Sequence, residues 1–205
     1  MKDRSRLRRH RHALVLWAFA LVAWVVPARA AAIYPIDQRF GSIAFSVGNF
    51  GLFSSHGEFR RFSGTLSLDL ARPGQTRITV VIDANSVSTP WRPAARRLRS
   101  PAYFDVTHFR RIHFTSSRVL PAGPHRYQID GQLEIRGITQ PLTLTALLAH
   151  LSPGPKPGTE VADFVVTGKI RRFDFGMTAD HILISNVVHI MIHAHIALRQ
   201  NPDGK

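Results

Sequence analysis

Apolar and polar residues alternate along most of the chain after residue 30. In eight segments every second residue is apolar or glycine, and most residues between them are polar or small. A period of two indicates a β-strand with one dry face and one wet face. The eight apolar stripes are Ile43–Val47, Leu66–Leu70, Ile78–Ile82, Ile112–Phe114, Tyr127–Ile135, Leu142–Leu148, Phe164–Ile170 and Val188–Leu198.

Clusters of Gly, Pro, Asn and Asp separate the eight segments, and such clusters are typical of turns. The pattern therefore predicts an all-β fold, either a barrel or a sandwich. Only Pro93–Arg99 favours a helix, because it opens with a proline suited to a first helical turn. This short helical excursion lies in the long connection between the third and fourth stripes.

The first thirty residues form a different kind of segment. Residues 1–12 are strongly basic, an apolar run of 14 residues follows over Ala13–Val26, and the small residues Ala28 and Ala30 come next. This order is typical of a secretory signal peptide, and the run is shorter than the roughly 20 residues of a membrane-spanning helix. We expect a signal peptide over 1–30, cleaved after Ala30 or else after Ala32, and one domain over 31–205. An uncleaved anchor is the alternative.

Export changes the meaning of the charge. The chain carries +14, but residues 1–30 hold seven basic residues and one acidic residue, which leaves 20 basic and 12 acidic residues, or +8. We expect a periplasmic or secreted protein whose charge either suits an anionic membrane surface, rather than nucleic acid, or only keeps the protein surface solvated. The absence of cysteine excludes disulfides, a lipidated cysteine and thiolate metal sites.

The residues that face the interior of such a barrel are almost all Ile, Phe, Val and Leu. An eight-stranded barrel is either filled by its side chains or holds one small ligand. A cavity with this lining would accept a hydrocarbon chain and reject a sugar or a nucleotide. The predicted lining residues are Ile43, Phe45, Val47, Val80, Ile82, Leu98, Phe104, Phe114, Ile190 and Ile192.

Several blocks of sequence resemble those of the YceI family, in the same order along the chain. The blocks are Tyr34–Asp37, Ser42–Val47, Phe59–Leu66, Leu98–Asp105, Ile135–Leu142 and Phe173–Met177. The resemblance implies an eight-stranded antiparallel, lipocalin-like barrel with a helical excursion near its mouth. It also implies a periplasmic or secreted protein that binds a polyisoprenoid or another long-chain amphiphile, without established catalysis.

The chain departs from the family pattern where a ligand head group would be recognised. Phe40 and Gly41 replace the usual His-Ser pair, and Asn49 replaces a second histidine. Family acidic and histidine positions are occupied by Ala95, Arg96 and Arg97. These changes leave the head group undetermined. Arg97 and Arg99 are the candidate head-group contacts, because a guanidinium offers paired donors to phosphate or carboxylate.

Two other functions remain open. His193 and His195 lie about 6.6 Å apart along the last predicted strand, which would suit a metal-dependent enzyme. We expect them to face outward and bind no metal, because the opposite face of that strand is apolar. The second alternative is an interaction module for a membrane redox partner. The sequence contains no Gly-x-Ser-x-Gly or His-Glu-x-x-His motif, so we expect a non-enzymatic protein without a cofactor.

Overall fold

The computed structural model describes residues 32–68 and 72–199. The predicted signal peptide, residues 1–30, lies outside the described residues. The described part contains one α-helix, α1 (Arg92–Arg99), and no helix within it has the length and apolar character needed to cross a membrane. Its strands are β1 (Ala32–Asp37), β2 (Gly41–Asn49), β3 (Phe53–Phe59), β4 (Phe62–Leu68), β5 (Arg77–Asp83), β6 (Val87–Ser88), β7 (Arg111–Pro121), β8 (Arg126–Ile135), β9 (Ile138–Pro153), β10 (Thr159–Arg171) and β11 (Ile184–Arg199).

The strands form one antiparallel sheet in the order β1-β4-β5-β7-β8-β9-β10-β11-β2-β3-β6. The sheet curls into a half-barrel whose edge strands are β1 and β6. The last strand pairs with β2, so Ile190 lies opposite Phe45 and Ile192 lies opposite Ile43. This pairing brings the four side chains to one shared inner face.

The prediction of eight strands is wrong, because the described part of the chain has eleven. Within the described residues all eight apolar stripes lie in strands, while Leu70, the last residue of the second stripe, lies outside them; β1, β3 and β6 were missed. Pro35 interrupts the pattern of β1 at the edge of the sheet, where a missing backbone donor is tolerated. The stretch Phe53–Phe59 is largely exposed and carries no apolar alternation, and β6 has only two residues.

The curl brings the apolar faces of the strands into one core. Ile43, Phe62, Ile112, Leu142 and Val166 come from five different strands and belong to a single buried cluster. Burial alternates with a period of two in the middle of β9, where every second residue is buried and the threonines between them are exposed. The inner face is therefore the dry face that the alternation predicts.

Helix α1 lies in the long connection between β5 and β7, as predicted, and Pro93 occupies its first turn. The pairings place four connections at the same end of the sheet, which we call the helix end. They join β2 to β3, β5 to β7, β8 to β9 and β10 to β11. The opposite end, with the turns at 122–125 and 154–158, is called the far end.

Candidate ligand-binding cavity

The inner face of the curled sheet surrounds a cavity of about 1040 Å³. Its wall is built from apolar side chains of β2, β4, β5 and β7 to β11, together with residues of the helix end. All ten residues that the sequence analysis selected lie on this wall. Their role as ligand contacts stays a prediction.

Other wall residues were missed for two different reasons. Phe59 belongs to β3, a strand that the pattern did not predict, and its ring packs against Phe45 and Phe104 with centroids 5.6 and 5.5 Å apart. By contrast, Leu133 and Leu144 lie on predicted stripes. Extending the alternation rule along every stripe would have found these two leucines.

Glycines on the inner face make room for the largest wall side chains. A Cβ atom on Gly131 would lie 2.7 Å from Cζ of Phe114, and a Cβ on Gly57 would collide with the ring of Phe45. Real Cβ atoms do not approach other carbons this closely. The two aromatic rings can therefore lie across the sheet only because these positions carry no side chain.

A polar cluster lies on the cavity wall at the helix end. Arg97 of α1 donates to Asp180 through Nε at 3.0 Å and through Nη2 at 2.8 Å, and the Tyr103 hydroxyl donates to the same carboxylate at 2.6 Å. These hydrogen bonds, that of Tyr103 first, lower the pKa of Asp180. Burial raises the pKa of Tyr103, so its hydroxyl remains a donor. All three residues line the cavity.

Arg172 places a buried positive charge beside this cluster. It is only 3% exposed, and it lines the cavity. Its guanidinium donates to four backbone carbonyls at 2.6 to 2.9 Å, those of Met177, Ala179, Ile184 and Ser185. Burial lowers the pKa of Arg172 from its usual high value. Arginine nevertheless remains charged in proteins, and no ion pair is formed between Arg172 and another described residue.

Arg172 was not among the predicted site residues, although it directly precedes the family block that begins at Phe173. Arg97 and Arg99 were predicted as head-group contacts because a guanidinium offers paired donors to an anionic group. Arg97 does line the cavity, but Arg99 is not part of the wall. The Arg99 guanidinium donates to the carbonyls of Asn85 and Val87, and so it fixes the connection between β5 and α1. We therefore keep Arg97 alone as a candidate head-group contact.

Two of the positions that depart from the family pattern also lie on the wall. Phe40 and Asn49 line the cavity, and the Asn49 amide donates to the Ser55 hydroxyl. An aromatic ring and an amide thus stand where the family commonly has histidines. The wall is consequently less basic there than the family pattern implies.

The histidines of the last strand are exposed and alternate with apolar residues of the cavity wall, and His193 also borders the cavity. His193 and His195 are exposed, as their alternation with apolar residues predicts. His195 forms a 2.5 Å hydrogen bond through Nδ1 with Asp163 on the neighbouring strand. Among residues 32–68 and 72–199, no group of three metal-binding side chains gathers at one place. The expectation that this pair binds no metal stays a prediction.

Solved structures with the same fold come from several bacteria. Burkholderia cenocepacia BcnA has a TM-score of 0.69 at 21% identity, covering 78% of this chain and 98% of its own. A Campylobacter jejuni YceI protein has a TM-score of 0.63 at 23% identity, covering 70% and 85%. A polyisoprenoid binding domain from Saccharophagus degradans has a TM-score of 0.55 at 16% identity, covering 82% and 99%. At these identities the likeness shows the fold alone.

Sequence relatives identify the family. The YceI proteins of Salmonella agona and Salmonella arizonae are 32% and 31% identical to this chain over 181 residues. Each alignment covers 87% of this chain and 94% of the relative. The YceI-like domain model matches residues 34–196, which include β2 to β10 completely and most of β1 and β11. On this evidence the chain belongs to the YceI family.

Proposed function

We propose that this protein binds a polyisoprenoid or another long-chain amphiphile, with the chain in the cavity and the head group at the helix end. The observation that carries the proposal is the apolar cavity of about 1040 Å³ inside the curled sheet. This volume is at the upper end of the range of ordinary ligand pockets. The Saccharophagus degradans neighbour is itself a polyisoprenoid binding domain, which agrees with this choice of ligand.

The cavity wall favours a hydrocarbon, because its apolar side chains can pack against the chain and a hydrocarbon needs no hydrogen bonds. Each buried CH₂ contributes about 0.8 kcal/mol, before the entropic costs of binding are subtracted. A sugar in the same place would bury hydroxyls without partners, which costs free energy at each one. Wall residues on β11 extend from Ile184 to Leu198, about 46 Å along the strand at 3.3 Å per residue. That length suits a long chain.

The helix end supplies the polar groups that a head group needs. Arg172 gives a positive potential inside the cavity, and Arg97 and Tyr103 present donors that now bind Asp180. A head group with acceptor oxygens, such as a hydroxyl or a phosphate, fits these donors. An anionic head would have to compete with the Asp180 carboxylate for Arg97. The polar end therefore favours an amphiphile over a plain hydrocarbon.

The protein is proposed to act by binding rather than catalysis, in the periplasm or outside the cell. The basic head, apolar run and small residues of 1–30 support export. Sequencing the N-terminus of the protein recovered from its natural compartment tests this part. We expect Ala31 or Ile33 as the first residue, and a protein that begins at Met1 would contradict export by cleavage.

Native mass spectrometry of protein purified without detergent tests the ligand. We expect a population heavier than the bare polypeptide by the mass of one lipid, which is released when the same sample is denatured. The denatured sample is the control for covalent adducts. A bare mass in every preparation, with no uptake of an added prenyl alcohol or fatty acid, would overturn the proposal.

A further inference from the structure

Large apolar side chains are exposed around the cavity at the helix end. Leu52 and Ile182 are 83% and 84% exposed, the highest values for large apolar side chains among the described residues. Four others stand in or next to the β2–β3, β5–β7 and β10–β11 connections of the same end. We call this set the apolar rim, and it consists of Phe50, Leu52, Phe53, Trp91, Ile182 and Leu183.

The rim is one continuous surface, because its three connections are joined to one another. The amide of Phe50 donates to the carbonyl of Leu183 at 2.9 Å, which ties the β2–β3 turn to the β10–β11 connection. Asp180 of the latter connection binds Arg97 of α1, and Trp91 directly precedes that helix. Phe50, Trp91 and Leu183 also line the cavity, so the rim is continuous with the cavity wall at the helix end.

The tip of the β2–β3 turn holds an aromatic residue in an unfavourable backbone conformation. Phe50 has φ of 52° and Gly51 has φ of 71°, and the amide of Leu52 donates to the carbonyl of Asn49 at 3.1 Å. A tight turn with two positive φ angles favours Asn-Gly, because a bulky side chain is strained in this region. Strain of this kind persists where a function requires it. In this turn the strained position is occupied by a phenylalanine whose side chain is exposed.

Unpaired positive charge lies beside the rim. Arg92 and Arg96 are exposed on α1, and neither forms an ion pair with a described residue. The eight residues of α1 include no acidic side chain, and residues 31–205 carry a net charge of +8. Apolar side chains flanked by arginines complement a surface with anionic head groups above an apolar layer, which is the surface of an anionic bilayer.

We propose that the apolar rim docks on an anionic phospholipid bilayer. Phe50, Leu52 and Ile182 enter the interface, Trp91 lies at the level of the head groups, and Arg92 and Arg96 contact lipid phosphates. The helix end of the cavity then faces the acyl layer. This inference goes beyond the proposed function, because a protein that binds a lipid in its cavity does not have to touch a membrane.

Vesicle flotation of the polypeptide 31–205, which forms a compact unit of its own, tests the docking. Vesicles of phosphatidylcholine alone are compared with vesicles that also contain phosphatidylglycerol. Trp91 is the only tryptophan in this polypeptide, so its fluorescence reports on the rim directly. We expect association with the anionic vesicles, weaker association with the neutral ones, and a blue shift of Trp91 emission on binding.

Two double variants remove the apolar and the basic parts separately. Leu52→Ser with Ile182→Ser, and Arg92→Glu with Arg96→Glu, should each weaken partitioning onto anionic vesicles by about tenfold or more. None of these four residues lines the cavity, so lipid binding in solution should be retained. Unchanged thermal unfolding shows that the variants are folded.

Matched controls carry the same chemical changes away from the rim. Met191→Ser replaces an apolar side chain that is 48% exposed on β11, and Arg126→Glu with Lys169→Glu reverses two exposed charges on β8 and β10. The apolar control should bind as the wild type does. The charge control should lose much less than the Arg92 and Arg96 variant.

The proposal is overturned if the wild type does not float with anionic vesicles, or if rim and control variants behave alike. It is also overturned if the rim instead joins two copies of the chain, seen as a dimer without vesicles that Leu52→Ser with Ile182→Ser abolishes. Failure of the proposed function looks different. In that case vesicle association is intact, but no lipid co-purifies or binds in solution.

Discussion

The strands of the cavity wall and the loops of the helix end differ in sequence pattern and in the contacts that stabilise them. The wall repeats one rule, an inward apolar residue at every second position, and its inner surface carries few polar groups. The helix end follows no repeat. Arg97 and Tyr103 donate hydrogen bonds to Asp180, and Arg172 donates to backbone carbonyls. Under the proposed function these two regions have different tasks, in which the wall contacts the hydrocarbon chain and the helix end contacts the head group.

Replacing the anchor of the helix end should have the largest effect on stability. Arg172→Met leaves four carbonyls, in buried or partly buried hydrogen bonds, without their donor, and we expect it to lower the free energy of unfolding by about 3 kcal/mol or more. The neighbouring Arg171→Met is the control, because Arg171 is exposed and its ion pair among the described residues is with Asp174. Urea unfolding measures both, and equal losses in the two variants would refute the anchoring role of Arg172.

A methyl group added to the sheet should lower stability where an inner ring lies across the glycine. Gly57→Ala places a Cβ against the ring of Phe45, and we expect a loss of about 1–3 kcal/mol of stability. Gly48 lies close by in the paired strand, and a Cβ there meets only the Ser185 Cβ at 3.7 Å. Gly48→Ala should therefore be close to neutral. If thermal unfolding shows that Gly48→Ala is the less stable variant, Phe45 does not pack against Gly57.

The smallest effect concerns the pH dependence of the helix end. The pKa of Asp180 is lowered in the folded protein, so its carboxylate stabilises the fold above the ordinary pKa of 3.8. That contribution, at most about 1 kcal/mol for a partly exposed group, is lost as the pH falls through the lowered pKa. Asp180→Asn should therefore cost stability at neutral pH and little in strong acid.

Tyr103→Phe sharpens this test. The Tyr103 hydroxyl is the largest cause of the lowered pKa of Asp180, so its removal should weaken the pH dependence without abolishing it. Unfolding in urea at neutral and acidic pH measures the wild type and both variants. A constant difference between the wild type and Asp180→Asn over this range would contradict the prediction.

The wall could be predicted from sequence because its rule is local. Alternation alone assigned Ile190 and Ile192 of β11 to the interior, and the structure places both on the cavity wall. The rule failed at β3, where the sheet extends beyond the regular alternation. It therefore gave eight strands, and it missed Phe59 although that ring lies between Phe45 and Phe104.

The helix end could not be predicted in the same way, because its contacts join residues far apart in the chain. Arg97 and Asp180 are 83 residues apart. No local pattern distinguishes Arg97, which binds Asp180 on the wall, from Arg99, which binds two carbonyls outside it. The buried Arg172 likewise resembles its exposed neighbour Arg171 until the fold brings four carbonyls to it.

The most direct test of the central claim is a titration of residues 31–205 with prenyl and acyl chains of graded length. If the cavity holds the chain, affinity rises with length, at first by up to about 0.8 kcal/mol per CH₂, and levels off when the cavity is full. Ile192→Phe should lower the length at which it levels off while thermal stability is largely kept, and Met191→Phe on the outer face should change neither. Absence of saturable binding to any chain, together with strong destabilisation by Ile192→Phe, would show a solid interior and contradict the claim.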